Sequence, residues 1–144
     1  MMAGGDAAGM MIREDKDVDA PQLQDLYTHA PWAKGRSLDG IRRMLKNTDY
    51  VFSAWDGARL VGFARVLTDR IYRATLWDVI VHPDFQGKGV GELLLKSILA
   101  HPVLSGVHKF WLNTRDKQAF YERFGFIRSD QGMVRERPGG DSHD

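Results

Sequence analysis

The sequence predicts an α/β fold in which one mixed sheet carries helices on both faces. Two helices are predicted near the start, because apolar residues recur at helical spacing after the capping residues Asp19 and Ser37. Three strand-like segments follow, and Asp56-Gly57 between the first two predicts an antiparallel hairpin turn. The rest of the chain alternates strand, helix, strand, helix, strand, so the antiparallel meander should give way to a parallel crossover.

Turn and capping residues place the expected elements. Pro21 suits the first turn of the first helix, Pro102 ends the third, and Gly125 is expected to cap the fourth. The expected strands cover 10–14, 50–55, 60–67, 74–82 and 109–113, with a last hairpin of 126–127 and 133–134. The third and fourth helices are expected at 89–100 and 116–124. One domain should span 10–136, between a disordered segment at 1–9 and a flexible tail at 137–144.

Composition argues against several classes of function. Lys and Arg number 20 against 19 Asp and Glu, so no strong field attracts nucleic acid or a membrane surface. There is no cysteine, which excludes a disulfide framework, a thiolate zinc site and a cysteine acyl intermediate. The five histidines lack ligand spacing, so no metal is expected. No membrane span or signal peptide is recognisable, which predicts a cytoplasmic protein, with an organellar stroma or matrix after processing left open.

The most informative segment joins the third meander strand to the helix after it. An apolar strand ends at Pro83, and a turn containing Gln86 and three glycines leads into an amphipathic helix. The first N–H groups of a helix lack partners and its dipole favours negative charge, so the turn predicts an anion site. The glycine spacing fits neither the dinucleotide fingerprint nor the P-loop. The segment therefore predicts a phosphorylated small-molecule ligand, and a ligand-free glycine connection is the alternative.

Two motifs carry a family resemblance. Gln86-x-x-Gly89-x-Gly91 resembles the acetyl-CoA signature Q/R-x-x-G-x-G/A of the GNAT N-acetyltransferase superfamily. The segment 113–126 resembles that superfamily's other hallmark, N-x-x-A-x-x-F-Y-x-x-x-G-F in loose form, with Asp116 where Asn is common. Asp116 could cap the helix there as Asn would. The resemblance covers roughly 50–126, and the segment 74–87 is similar to the plant and cyanobacterial serotonin N-acetyltransferase branch.

The resemblance implies an acetyl-CoA-dependent enzyme whose two central strands splay apart around the pantetheine arm. It implies that the glycine turn holds the pyrophosphate and that the strand before it hydrogen-bonds the pantetheine amides. Tyr121 would give a proton to the departing CoA thiolate, and the alternative is a core aromatic residue. The candidate cofactor-binding residues are Val79, Ile80, Val81, Gln86, Gly87, Lys88, Gly89, Val90, Gly91, Asn113, Asp116, Phe120 and Tyr121.

Asp78 is a carboxylate within an otherwise apolar strand. A buried carboxylate usually has a partner or a function, so Asp78 is a candidate catalytic base or an orienting group for the substrate ammonium. The alternative is a salt bridge to Arg65, Arg70 or Arg73. His82 is a second candidate base, and a water chain without a dedicated base is also left open.

The acceptor pocket is expected around the loop between the first two helices. The candidate substrate residues are Tyr27, Trp32, Arg36 and Trp77. Trp32 beside Trp77 would offer a flat wall to an aromatic amine or a cation–π surface to an ammonium, and core packing is the alternative. The leading hypothesis is acetyl transfer to a primary amine of a small molecule by direct attack in a ternary complex. A protein or peptide N-acetyltransferase, a non-catalytic acetyl-CoA sensor, and a homodimer are left open.

Overall fold

A computed structural model describes residues 9–138, which contain one five-stranded sheet in the order β1-β2-β3-β4-β5. The strands are β1 (Met10–Arg13), β2 (Tyr50–Asp56), β3 (Arg59–Thr68), β4 (Arg73–Val81) and β5 (Lys109–Leu112). The first four strands pair antiparallel in sequence order, and β5 pairs parallel with β4. The predicted mixed sheet and its change from meander to crossover are confirmed.

Helices cover both faces of the sheet. They are α1 (Ala20–Tyr27), α2 (Leu38–Asn47), α3 (Val90–Ala100) and α4 (Gln118–Glu122). Both predicted caps are present, because Asp19 Oδ2 accepts from the Gln22 N–H and Ser37 Oγ accepts from the Gly40 N–H, each at 3.0 Å. Two apolar cores result, one under α1 and α2 and one under α3 and α4. Within residues 9–138, no helix has the length and apolar character that crossing a bilayer requires.

The last part of the chain differs from the sequence prediction in several ways. α4 is shorter than expected, and Asp116 does not cap it, because its N-cap is Lys117, which makes no side-chain capping hydrogen bond. Thr114 Oγ1 accepts from the Lys117 N–H at 3.1 Å. No strand forms after β5 within the described chain, so the predicted hairpin of 126–127 and 133–134 is wrong. Two-residue apolar runs bury too little surface to fix such a hairpin. The C-cap of α4 is Arg123, so the prediction that Gly125 caps this helix is wrong. Gly125, with φ +92°, lies in the turn that follows.

The predicted terminal segments fall mainly outside the described residues. Of the segments 1–9 and 137–144, only residues 9, 137 and 138 are described. The boundaries expected for a disordered start and a flexible tail therefore stay predictions.

Gly62 marks the closest approach of α3 to the sheet. A Cβ atom at Gly62 would lie 3.0 Å from Val90 Cγ1 and 3.2 Å from both Ala54 Cβ and Leu94 Cδ1. All three neighbours are buried and have little room to move. We expect Gly62→Ala to lower the free energy of unfolding by about 1–3 kcal/mol through overpacking.

Urea unfolding followed by circular dichroism measures this effect. Gly106→Ala is the matched control, because a Cβ atom at Gly106 meets no atom within 4 Å. Equal stability of the Gly62→Ala variant and the wild type would show that α3 packs less closely than described.

Candidate functional site

A β-bulge interrupts β4 at Asp78 and Val79, which together oppose the single residue Ala64 of β3. Asp78 has φ +56°, a left-handed conformation that is uncommon for residues other than glycine, although Asp and Asn adopt it more often than most. The bulge also reverses the side-chain alternation of the strand. Leu76 packs in the core under α3 and α4, whereas Ile80 packs in the core under α1 and α2.

β4 and β5 separate immediately before this bulge. Their parallel pairing ends at the Leu76–Leu112 pair, although β4 continues to Val81. Within residues 9–138, therefore, no strand lies beside the edge of β4 from Trp77 to Val81 on the β5 side. We call this open edge the slot. An extended ligand can hydrogen-bond such an edge as an additional strand would, and the predicted splaying of the central strands is confirmed.

The glycine turn leads from the slot to the start of α3. Gly87 and Gly89 have φ +75° and +82°, and Gly89 is the N-cap of α3 without a side chain to accept the first helical N–H groups. These groups remain available to an anion at the positive end of the helix dipole. Gln86 Nε2 donates to the Val81 carbonyl oxygen at 3.1 Å, which ties the turn to the end of β4.

The two sequence motifs lie in contact in the fold. A Cβ atom at Gly91 would lie 3.5 Å from Phe120 Cζ and 3.8 Å from Val81 Cγ2. Arg123 Nη2 donates to Glu92 Oε1 at 2.7 Å and joins the end of α4 to the first turn of α3. The second motif therefore flanks the glycine turn, at the end of the slot where phosphate groups are expected.

Tyr121 lies next to Phe120 in α4 and is largely buried. Burial raises the pKa of its hydroxyl to about 12, so the hydroxyl stays protonated throughout the physiological range. It forms no hydrogen bond with any residue between 9 and 138. Tyr121 and Asn113 also line a cleft of about 700 Å³ between β5, α4 and residues 124–132. A protonated hydroxyl without a partner is suited to giving a proton to a ligand.

Asp78 lies at the centre of a buried polar cluster on the α1 and α2 side of the sheet. Tyr27 Oη, Arg36 Nη1 and Arg65 Nε donate to its Oδ2 atom at 2.9, 2.8 and 2.7 Å. We call these four residues the Asp78 cluster. Burial raises the pKa of Asp78, but the charges and hydrogen bonds of Arg65 and Arg36 outweigh that effect and leave the pKa below its usual value. Asp78 is therefore ionised at neutral pH.

The Asp78 cluster includes one of the three salt-bridge partners expected from the sequence. Arg65 is that partner, whereas Arg70 pairs with Asp49 at 4.0 Å. Arg36, which was predicted as a substrate residue, is the second partner of Asp78. No periodicity could have shown this, because Arg36 lies in the connection between α1 and α2 and meets Asp78, 42 positions along the chain, only in the folded protein.

The predicted acceptor residues differ in how far their side chains are exposed to solvent. Tyr27 is 1% exposed and lies behind Arg36, whose guanidinium carbon is 4.8 Å from the Tyr27 ring and 5.6 Å from the Trp32 ring. Trp32 and Trp77 are 56% and 36% exposed. They make no ring contact with each other in the described part of the chain, so the predicted wall of two adjacent indoles is absent. Trp32 packs edge-on against Tyr27 instead.

Other predicted site residues have side chains that are buried or held by local contacts. The side chains of Val90 and Ile80 are buried in the two cores, which leaves their backbone groups for a ligand. His82 Nδ1 accepts from the Asp84 N–H at 3.1 Å, which makes His82 part of the turn after β4. Lys88 Nζ lies 5.5 Å from the centre of the Phe85 ring, within the glycine turn.

The left-handed conformation of Gly89 leads to a testable difference from Gly91. We expect Gly89→Ala to lower the free energy of unfolding by about 1–2 kcal/mol, because φ +82° strains any residue with a Cβ atom. Gly91→Ala should be neutral or stabilising, because Gly91 lies in α3 and its added Cβ atom would make only ordinary contacts. Thermal unfolding of the two variants measures the difference, and equal stability would contradict it.

Comparisons with known proteins agree with this geometry. Residues 47–128 match the family model described as an acetyltransferase (GNAT) domain. A solved GNAT-family acetyltransferase from Xanthomonas campestris superposes with a TM-score of 0.81 at 31% identity, over 92% of this chain and 96% of that one. An uncharacterised N-acetyltransferase, ycf52, of Pyropia yezoensis is 31% identical over 127 residues, which are 85% of this chain and 72% of that protein.

Two further relatives have names that state a substrate. The histone acetyltransferase TAP1 of Glycine max is 31% identical over 81% of this chain and 55% of that protein. The chloroplastic serotonin N-acetyltransferase 2 of Oryza sativa is 27% identical over 83% of this chain and 62% of that protein.

The structure combines an open strand edge, a glycine turn suited to binding phosphate, and a tyrosine on the adjoining helix. This combination is typical of a coenzyme-dependent acyltransferase. The chain belongs to the GNAT acetyltransferase family and is an enzyme of the N-acetyltransferase class. The family uses acetyl-CoA, and the residues present fit it: the free N–H groups of α3 suit a pyrophosphate and the slot suits the pantetheine amides. No three acidic or histidine side chains between residues 9 and 138 are grouped to hold a metal ion.

Proposed function

We propose that this enzyme transfers the acetyl group of acetyl-CoA to the primary amine of a small molecule by direct attack in a ternary complex. The observation that carries the proposal is the slot, which connects the glycine turn at one end with the Asp78 bulge at the other. A donor extended along the slot from the turn would present its thioester near the bulge. In this proposal the acceptor approaches from the α1 and α2 face of the sheet, where the Asp78 cluster and Trp32 lie.

Residues of the chain can meet two requirements of acetyl transfer: polarising the thioester carbonyl and protonating the departing sulfur. Backbone N–H groups at the bulge would polarise the thioester carbonyl as negative charge develops on its oxygen. The amine nitrogen forms a bond to the carbonyl carbon, the carbon–sulfur bond breaks, and Tyr121 Oη gives its proton to the departing sulfur. The chain contains no cysteine, so no cysteine acyl intermediate forms on the way.

The amine proton leaves through water in this proposal, and Asp78 acts as a positioning residue. Three donors already bind Asp78 Oδ2, and the lowered pKa makes this carboxylate a weak base. Its role is to hold the left-handed bulge that opens the slot. His82 is not assigned as the base either, because its Nδ1 atom already accepts a hydrogen bond from the Asp84 N–H.

A second candidate is acetylation of a protein or peptide, which the name of the soybean relative favours. We prefer the small-molecule proposal because Arg36 and Arg65, largely buried beside Asp78, offer charged groups that could bind a compact acceptor. A homodimer and a cytoplasmic location remain predictions, and the rice relative is named as a chloroplast protein.

Thiol release from acetyl-CoA tests the proposal. The panel contains tryptamine, serotonin, spermidine, a free amino acid and a lysine peptide, with mass spectrometry of the products. We expect acetylation of at least one small amine at a higher kcat/KM than the lysine peptide. A higher value for the peptide would establish the second candidate. Acetyl-CoA binding without turnover of any amine would indicate a non-catalytic sensor.

A further inference from the structure

The Asp78 cluster carries more positive than negative charge. It contains two guanidinium groups, from Arg36 and Arg65, and one carboxylate, so one positive charge is in excess. Tyr27 adds no negative charge, because burial and the nearby carboxylate raise the pKa of its hydroxyl far above the usual value. No other Asp or Glu of residues 9–138 lies within ion-pair distance of either guanidinium. Such an excess at a half-buried site favours a bound anion and disfavours an ammonium.

Both guanidinium groups keep unused hydrogen-bond donors. A guanidinium carries five N–H donors in a planar fork. Arg36 gives one to Asp78, whereas Arg65 gives one to Asp78 and one, at 3.5 Å, to Thr48 Oγ1. Their side chains are 19% and 17% exposed, so neither guanidinium is sealed in the core. The remaining N–H groups can bind two oxygens of a carboxylate or of a phosphate at once.

The orientation of these donors is fixed by packing. The Arg36 guanidinium lies over the Tyr27 ring, beside Trp32, while Asp78 Oδ2 holds it against Arg65. Asp78 in turn precedes Val79 in the bulge that faces the slot. The excess positive charge is therefore built into the framework beside the expected acetyl position and does not belong to mobile surface side chains.

We propose that the acceptor of this enzyme is an amine that also carries an anionic group, and that Arg36 and Arg65 bind that group. The inference rests on the proposed acetyl transfer and specifies its substrate class. Carboxylate and phosphate share the required chemistry. The amine nitrogen of such an acceptor points toward the slot while its acidic group is held at the Asp78 cluster.

Matched pairs of amines test the inference. Tryptamine is compared with tryptophan, propylamine with β-alanine, and ethanolamine with phosphoethanolamine, using thiol release at saturating acetyl-CoA. We expect the acidic member of at least one pair to have a kcat/KM about 10–100-fold higher, as charge-assisted hydrogen bonds provide. The first two pairs report on carboxylate and the third on phosphate. Thiol release from the neutral members alone, or at equal efficiency, would overturn the inference and leave the proposed function intact.

Variants connect the preference to the arginines. Arg36→Gln should reduce the acidic-to-neutral ratio of kcat/KM by about 10-fold or more, and Arg36→Lys should restore part of it. Arg59→Gln is the matched control, because Arg59 pairs with the exposed Asp84 away from the cluster and should leave the ratio unchanged. Circular dichroism checks that each variant folds, and the wild-type comparison decides the question if one does not. An unchanged ratio in a folded Arg36→Gln variant would contradict the assignment, whereas no thiol release with any amine would refute the proposed function itself.

Discussion

Tyr121→Phe is expected to lower kcat for thiol release by about 10²–10⁴-fold, the usual contribution of a positioned acid. The substitution removes only the hydroxyl, which is protonated and has no partner within residues 9–138. The ring still packs against Phe120 and Phe126, so α4 keeps its place beside the glycine turn. The departing CoA thiolate then leaves without a proton donor, while the contacts that bind the donor are retained.

Steady-state kinetics and calorimetric binding of acetyl-CoA separate these effects. We expect the Kd for acetyl-CoA to stay within about threefold of the wild-type value, a difference of less than 1 kcal/mol. Tyr72→Phe is the control, because Tyr72 is an exposed tyrosine in the turn before β4. Unchanged kcat in Tyr121→Phe would make Tyr121 a core aromatic residue, the alternative that the sequence left open.

Asp78→Asn is expected to destabilise the enzyme by about 3–5 kcal/mol, the usual cost of removing one partner from a buried ion pair. Asparagine tolerates the left-handed backbone and keeps the shape of the side chain, so the loss reports on charge. Arg36 and Arg65 would remain half-buried without their counter-charge. Urea unfolding at pH 7 measures the loss, and Asp84→Asn is the control, because Asp84 is exposed and its ion pair with Arg59 is 3.6 Å long.

The stability lost in Asp78→Asn is expected to depend on pH. Because the folded-state pKa of Asp78 lies below its ordinary value of 3.8, its stabilising contribution is complete above that value and disappears as the pH falls through the folded-state pKa. The stability difference between wild type and Asp78→Asn should therefore be constant from about pH 5 to pH 8 and narrow below about pH 4. A difference that first narrows near neutral pH would contradict an ionised Asp78 with a lowered pKa.

Local signals predicted most of the framework. The caps at Asp19 and Ser37 and the turn at Gly125 depend on nearby residues, so the sequence alone shows them. The glycine turn is equally local, because Gly89 must adopt a positive φ to start α3. The glycine turn is where phosphate groups are expected, so the prediction of the donor side depends on local signals of the sequence.

The bulge at Asp78 was not predictable in the same way. Leu76 and Ile80 are four residues apart and would face the same side of a regular strand, yet they face opposite cores. The left-handed backbone is held by partners from distant segments, Arg36 and Arg65 among them. The sequence named Tyr27, Arg36 and Arg65 as separate candidates, but no residue pattern along β4 shows that all three bind Asp78.

Direct transfer in a ternary complex is tested most directly by two-substrate initial-velocity kinetics of thiol release, combined with mass spectrometry of the product. We predict intersecting double-reciprocal lines, equimolar thiol and acetylated amine, and no rapid release of thiol when enzyme meets acetyl-CoA alone. Parallel lines with a stoichiometric burst of thiol before any amine is added would contradict direct attack and require an acyl-enzyme.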